Sequence, residues 1–366
     1  MTTCFTGAVL VFEEELQHSF HKERYFVNPI SNRQPVDSLL TSLHQKVPGA
    51  SISGIKIYTD STRSTEIMYT VKNGNDKDPN IVANTQAKKP AAASKENRRL
   101  IAYIDPYTAG VIELYNHQDS FFYSMMSLHR WLLGGNTGKL VVGICTFIFL
   151  FILITGIILW WPKTKNILQQ RLKVKWGSSW KRLTHDLHIV LGFYSAIFLF
   201  MFAFTGLAWS FQWFNKGIYT ITSSSMQQPK APVSTLRVKD ELLSYHTVYK
   251  FIKAQVQDVN YYNIITPKDS LAPFSVNVLP LNAPHESAIN TYFIDKHRAL
   301  VLGTQNFSDR NLGQRVRSTF KPIHVASIFG VGSKIIGLIV CIFGVFFPLT
   351  GYIMWWLRTR KSAQSK

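Results

Sequence analysis

Cysteine, acidic residues and the common catalytic signatures are all scarce in this sequence. The only cysteines, Cys4, Cys145 and Cys341, each lie in an apolar run, so the polar regions carry neither a disulfide framework nor a thiolate metal cluster. Asp and Glu number 21 against 40 Lys and Arg, for a formal net charge of +19. No glycine-rich phosphate loop, nucleophile elbow, or flavin or nicotinamide fingerprint occurs, which removes the enzyme classes those motifs mark. The start, MTTCFTGAVLVF, lacks the basic residues and small-residue cleavage site of a secretory signal.

The surplus of positive charge sits in particular places. From Lys163 to Arg182 there are seven bases and no acid, and the tail adds Arg358, Arg360, Lys361 and Lys366. Basic short loops beside apolar runs stay on the cytoplasmic side of a membrane, so this charge sets topology and gives no reason to expect a nucleic-acid partner.

What the sequence has in abundance is a repeated apolar unit. LHRWLLGGNTGK from Leu128, an apolar run and TGIILWWPKTK are matched by IHVASIFGVGSK from Ile323, another run and TGYIMWWLRTR. One offset of 195 carries His129 to His324, Lys139 to Lys334, Thr155-Gly156 to Thr350-Gly351 and Trp160-Trp161 to Trp355-Trp356. Val141 to Trp161 is 21 uncharged residues, enough at ~1.5 Å per residue to cross a ~30 Å hydrocarbon layer. A third run, 185–213, holds FTGLAWSF, which matches FTGAVLVF (Phe5 to Phe12) at an offset of 199. Residues 1–12 are therefore expected to be the C-terminal part of a first spanning helix, with about 20 to 30 further residues ahead of it in the natural protein or its relatives.

The predicted organisation follows: 1–12 the end of a first span, 13–127 a first outer α+β region, 128–161 a pre-helix and second span, and 162–184 a basic cytoplasmic loop. Then come 185–213 as third span, 214–320 as second outer region, 321–357 as pre-helix and fourth span, and 358–366 as tail. Within the outer regions, residues 37–49 and 238–256 predict helices. SISGIKIYT, STEIMYTVK, Leu100–Ile104, Val111–Leu114, Tyr261–Thr266, Phe274–Leu279 and TYFIDKHRALVLG predict strands, and Asn73 to Asn97 a flexible loop. Pro348 is expected to kink the last span.

Of 11 histidines, four stand at the entrances of spans: His129, His185, His188 and His324. Ionisable groups there are expensive and mark function. Two imidazoles from different helices suit the axial positions of a haem iron, since helices hold ring nitrogens rigidly and apolar neighbours shield the macrocycle. His185 and His188 are three apart on one helix face, so one is expected to ligate while the other meets a propionate or a substrate; spacing does not choose between them. His18 and His21 form an HxxH that offers two ligands to a metal. His44, His117, His246, His285 and His297 are expected as solvated loop residues, and the Thr-Gly pairs at 6, 155, 205 and 350 as close-packing contacts between helices.

TGAVLVFEEE, IDPYTAGVIEL, LHRWLLGG, HDLHIVLGFYSAIFLFMFAFTG and LGQRVRSTFKPIHVASIFGVGSKIIGL together resemble the PepSY-associated transmembrane protein family over nearly the whole chain. The resemblance implies an integral α-helical inner-membrane protein of Gram-negative bacteria: a four-helix bundle, its first helix truncated here, with two periplasmic α+β PepSY-like domains and an internal duplication. Similar members include ferrisiderophore reductases, which pass electrons through b-type haems to a ferric chelate. The resemblance assigns an outer haem to His129 and His324 and an inner one to His188, with His185 beside it; the family's first-helix histidine motif is absent from this sequence. It implies as partners a ferric siderophore, membrane lipid and a cytoplasmic or quinol electron donor. The competing expectation is a non-enzymatic envelope protein whose PepSY domains bind or inhibit a periplasmic protease or act as a scaffold.

Overall fold

The computed structural model describes residues 1–30, 32–71, 100–234 and 241–364. Its elements begin with helices α1 (Thr2–Leu10), α2 (Glu13–Phe20), α3 (Lys22–Tyr25) and α4 (Val36–Lys46), followed by strands β1 (Ala50–Tyr58), β2 (Thr65–Val71), β3 (Leu100–Ile104) and β4 (Val111–Asn116). Next come α5 (Phe121–Trp131), α6 (Gly135–Trp160), α7 (Lys165–Arg171), α8 (Trp180–Ser210), α9 (Gln212–Ile221) and α10 (Tyr245–Gln255). Strands β5 (Val259–Ile265), β6 (Phe274–Pro280), β7 (Asn290–Ile294) and β8 (Val301–Gln305) precede α11 (Leu312–His324) and α12 (Gly330–Gln364). The order from α4 to β4 and on through a short and a long helix recurs from α10 to α12. The expected loop from Asn73 to Asn97 lies outside the described residues.

The chain forms two compact units. One holds Met1–Glu13, Ser124–Ser223 and Val316–Lys366; the other holds Glu14–Tyr123 and Ser224–Arg315.

In the second unit, all eight strands form one antiparallel sheet in the order β4-β3-β2-β1-β5-β6-β7-β8. The regions expected as two outer domains thus share a sheet, joined where β1 pairs with β5 and Ile55 sits opposite Ile264. Period-two alternation explains the side that is covered: Thr65, Ile67 and Tyr69 of β2 are buried while their neighbours are less so. On α4, Val36, Leu39, Leu40 and Leu43 repeat at helical spacing, and on α10 Val248 and Ile252 do the same. These faces meet Ile55, Ile67, Ile104, Ile264, Val276 and Ile294 in a single core. Each of those isoleucines withdrawn from water contributes on the order of 2 kcal/mol.

In the helical unit, three helices are long and apolar enough to cross a membrane: Gly135–Trp160, Trp180–Ser210 and Gly330–Thr359. The segment expected to end a first span is the nine-residue α1. The third span starts at Trp180, earlier than the predicted 185, because hydropathy marks the apolar stretch whereas the helix continues into the polar residues before it. It stops before Phe211, whose extended backbone separates it from α9. α12 runs through Pro348 as one helix. Trp160 stacks on Phe193 at 3.7 Å, binding α6 to α8, and Arg171 of α7 donates to the last carbonyls of α6, Leu159 among them at 3.3 Å.

Candidate functional site

His129 and His324 occupy the same kind of place. Each lies at or near the end of a short helix, α5 or α11, just before a break that leads into a long apolar helix. The first break is sharp: Leu132, Leu133 and Gly135 all have positive φ, at 47°, 57° and 55°. The chain then folds back so tightly that a Cβ on Gly138 would lie 1.6 Å from the Trp131 carbonyl oxygen, a contact that only glycine permits. After His324, Ala326 and Gly330 adopt positive φ in turn.

These turns bring the two rings together, with centroids 5.9 Å apart and planes at 72°. The Nδ1 of His129 lies 3.0 Å from the Thr6 hydroxyl of α1. The Nδ1 of His324 lies 3.1 Å from the Thr205 hydroxyl and 3.0 Å from the Phe202 carbonyl, both on α8. Neither Nε2 has a hydrogen-bond partner among the described residues. Both histidines lie outside the three spanning segments, and burial pushes both imidazoles below the ordinary value of 6.5. The neutral ring that results near pH 7 is the form in which imidazole ligates a metal. Trp209 packs 5.2 Å from the His324 ring. Arg317 lies over Trp209 and Phe320, and its Nε donates to Asn215 at 2.7 Å.

The other two histidines named from the sequence part company. His188 is seated against α12, its Nδ1 2.7 Å from the Thr350 hydroxyl and its ring 5.5 Å from Phe347. His185 is half exposed and turns to Asp186, at 3.4 Å, which also holds Arg182 at 2.7 Å. His188 lies 17 residues before Thr205 on α8, roughly 25 Å along the helix, so it is not part of the His129–His324 pair.

The HxxH does not assemble further ligands. His18 packs on Tyr25 and Phe26, His21 lies 3.8 Å from Glu23, and the described residues contain no group of three or more His, Cys, Asp or Glu able to hold a metal ion. His44 and His246, expected in solvated loops, belong instead to helices α4 and α10: His44 bonds the Leu40 carbonyl, and His246 accepts from the Val36 amide.

The Thr-Gly pairs are the residues whose part the sequence concealed. They were expected as packing contacts, yet Thr6, Thr205 and Thr350 each meet a histidine, while Thr155 bonds only backbone carbonyls of its own helix. Their recurrence, Thr6 as Thr205 at an offset of 199 and Thr155 as Thr350 at the offset of 195 that relates His129 to His324, was the available signal.

Three membrane-length apolar helices, a separate antiparallel sheet unit and histidines seated on the helices define a membrane protein with an α+β portion. The chain belongs to the family described as the PepSY-associated TM region, whose model matches residues 1–358. No curated protein matches the sequence.

Proposed function

We propose that this chain is a b-type-haem electron-transfer protein of a bacterial inner membrane that reduces a periplasmic ferric siderophore and releases Fe(II). The observation that carries the reading is the pair of facing imidazoles, His129 and His324, with their Nδ1 atoms tied and their Nε2 atoms free of hydrogen bonds. The ring centroids, 5.9 Å apart, are close enough for both imidazoles to reach one group. Two imidazoles that belong to no group of three or more His, Cys, Asp or Glu among the described residues are a poor cage for a naked ion, which takes three or four protein ligands. They suit an iron porphyrin, which brings four in-plane nitrogens of its own and, when bound, a one-electron Fe(III)/Fe(II) couple.

The chain's own residues then have distinct tasks. His129 and His324 would hold the iron from two helices. Arg317, a half-buried cation whose hydrogen bond among the described residues goes to an amide and not to an acid, would neutralise a propionate. The apolar faces of α8 and α12 exclude water. His188, held by Thr350 in the same manner as the outer pair, supports a second haem toward the other end of α8. Bases from Lys163 to Arg182 support a cytoplasmic position for that end and a periplasmic one for 14–123 and 224–315. The contact of Thr6 with His129, repeated by Thr205 with His324, supports a duplicated four-span bundle in which α1 belongs to the first span.

A ferric chelate holds Fe(III) far more tightly than Fe(II), so one electron passed from a cytoplasmic or quinol donor to the chelated metal frees it. The test is a reduced-minus-oxidised spectrum of the protein purified from membranes. A b-type band in the wild type that His129→Ala and His324→Ala each reduce by the same outer-haem share is the expected result. A wild type without any such band overturns the redox reading and leaves the non-enzymatic PepSY role.

A further inference from the structure

Four Thr-Gly pairs recur in the sequence, at Thr6-Gly7, Thr155-Gly156, Thr205-Gly206 and Thr350-Gly351. Three of them treat a histidine in the same way. The threonine hydroxyl lies 3.0, 3.1 and 2.7 Å from the Nδ1 of His129, His324 and His188 respectively. The glycine lies under the same ring: a Cβ built on Gly7, Gly206 or Gly351 would come 3.5, 3.2 or 3.7 Å from the Cε1 of that histidine. At Gly206 that approach is tighter than an ordinary contact, and at Gly7 and Gly351 a methyl would already touch the ring. The fourth pair differs on both counts. Thr155 has no histidine partner, and nothing lies within 4 Å of a Cβ on Gly156.

The direction of the hydrogen bond follows from where the threonine proton goes. A hydroxyl has one proton and two acceptor lone pairs. In all three pairs the hydroxyl faces the backbone carbonyl four residues earlier: Thr6 to Thr2 at 2.8 Å, Thr205 to Met201 at 2.7 Å and Thr350 to Phe346 at 3.1 Å. Its carbonyl three residues earlier is also within reach, at 3.2, 3.1 and 3.1 Å. A carbonyl can only accept, so with the hydroxyl proton on the helix backbone the oxygen is left to accept from the ring. The Phe202 carbonyl, 3.0 Å from the Nδ1 of His324, independently requires a proton on that nitrogen. A neutral imidazole protonated at Nδ1 carries its lone pair on Nε2.

We infer that the Thr-Gly pair is a histidine seat: Thr6, Thr205 and Thr350 are positioning residues that lock His129, His324 and His188 as the Nδ1–H tautomer, and Gly7, Gly206 and Gly351 admit the ring. The inference deepens the haem reading by naming what presents each Nε2 to a metal, but the tautomer is a property of the chain with or without the group. Outer partners of this kind govern affinity by about ten- to a hundredfold.

The experiment has two arms. In the first, the full chain is produced without haem, ¹⁵N-labelled at histidine and held in lipid nanodiscs. The nitrogen shifts of His129 and His324 are expected to show Nε2 unprotonated and Nδ1 protonated. Thr350→Val should mix the tautomers of His188, with serine there restoring the single form, while Thr205→Val should leave His324 in the Nδ1–H form that the Phe202 carbonyl also holds. In the second arm, Thr205→Val is expected to weaken haem retention about tenfold and shift the midpoint potential, Thr205→Ser to recover both, and Thr155→Val to change neither the outer-site spectrum nor its potential. Protonation at Nε2 in the wild type, or a His188 tautomer indifferent to Thr350→Val, overturns the seat. Failure of the haem reading alone would appear as the expected tautomers in a chain that takes up no haem.

Discussion

His129 and His324 face each other with ring centroids 5.9 Å apart although 195 residues separate them. Two rings that hold one metal act as a unit, so their contributions do not add. His129→Ala, His324→Ala and the double variant should therefore lose the same haem band to the same extent. Pigment content normalised to protein measures this, and unchanged helical circular dichroism excludes unfolding as the cause.

Arg317 bonds Asn215 and lies against the faces of Trp209 and Phe320, with Trp209 in turn touching His324. A half-buried guanidinium without an acidic partner among the described residues favours a nearby anion. Arg317→Gln should leave the protein folded while lowering haem retention and moving the midpoint potential negative, since a cation beside the iron stabilises its reduced form. Redox titration of the purified variant reads the sign of the shift.

The turn before α6 depends on Gly138. A methyl there would overlap the Trp131 carbonyl, backbone against backbone, so relief requires the turn itself to open. Gly138→Ala should destabilise the helical unit by about 3 kcal/mol and displace α5, the helix that carries His129. Thermal unfolding in detergent gives the stability, and loss of pigment without loss of His324 would report the displacement.

At the seam of the sheet, Ile55 and Ile264 are both 0 % exposed and sit opposite each other. Ile264→Ala should cost about 2–5 kcal/mol, and the double variant with Ile55→Ala less than the sum of the two, because the residues share one cavity. Denaturant titration of the full chain measures both. Equal and additive losses would mean the halves are not packed through this seam.

Acidification should weaken the sheet unit. Burial, with Arg63 nearby, lowers the imidazole of His18 below 6.5, and burial does the same to His285, which packs on Phe307. The folded state then binds fewer protons than the unfolded one, so stability is present above about pH 6.5 and is lost as the pH falls from there through the folded values. Replacing both with glutamine should flatten the pH dependence of the melting temperature below that point.

Local pattern accounts for much of this molecule. Apolar runs bounded by charge located Gly135–Trp160, Trp180–Ser210 and Gly330–Thr359, because crossing a hydrocarbon layer demands length and polarity that any window of sequence displays. Alternation located β2 and β6 for the same reason. The repeat identified His129 and His324 as equivalent, and chemistry marked both as candidates. Equivalence, however, is not proximity. That the rings meet, that β1 pairs with β5 to make one sheet of eight strands, and that Thr6, Thr205 and Thr350 each receive a particular histidine were decided by packing between segments far apart in the chain. A hydroxyl in an apolar helix looks the same in sequence whether it bonds only its own helix, as Thr155 does, or an imidazole as well. Only the approach of a second helix tells them apart.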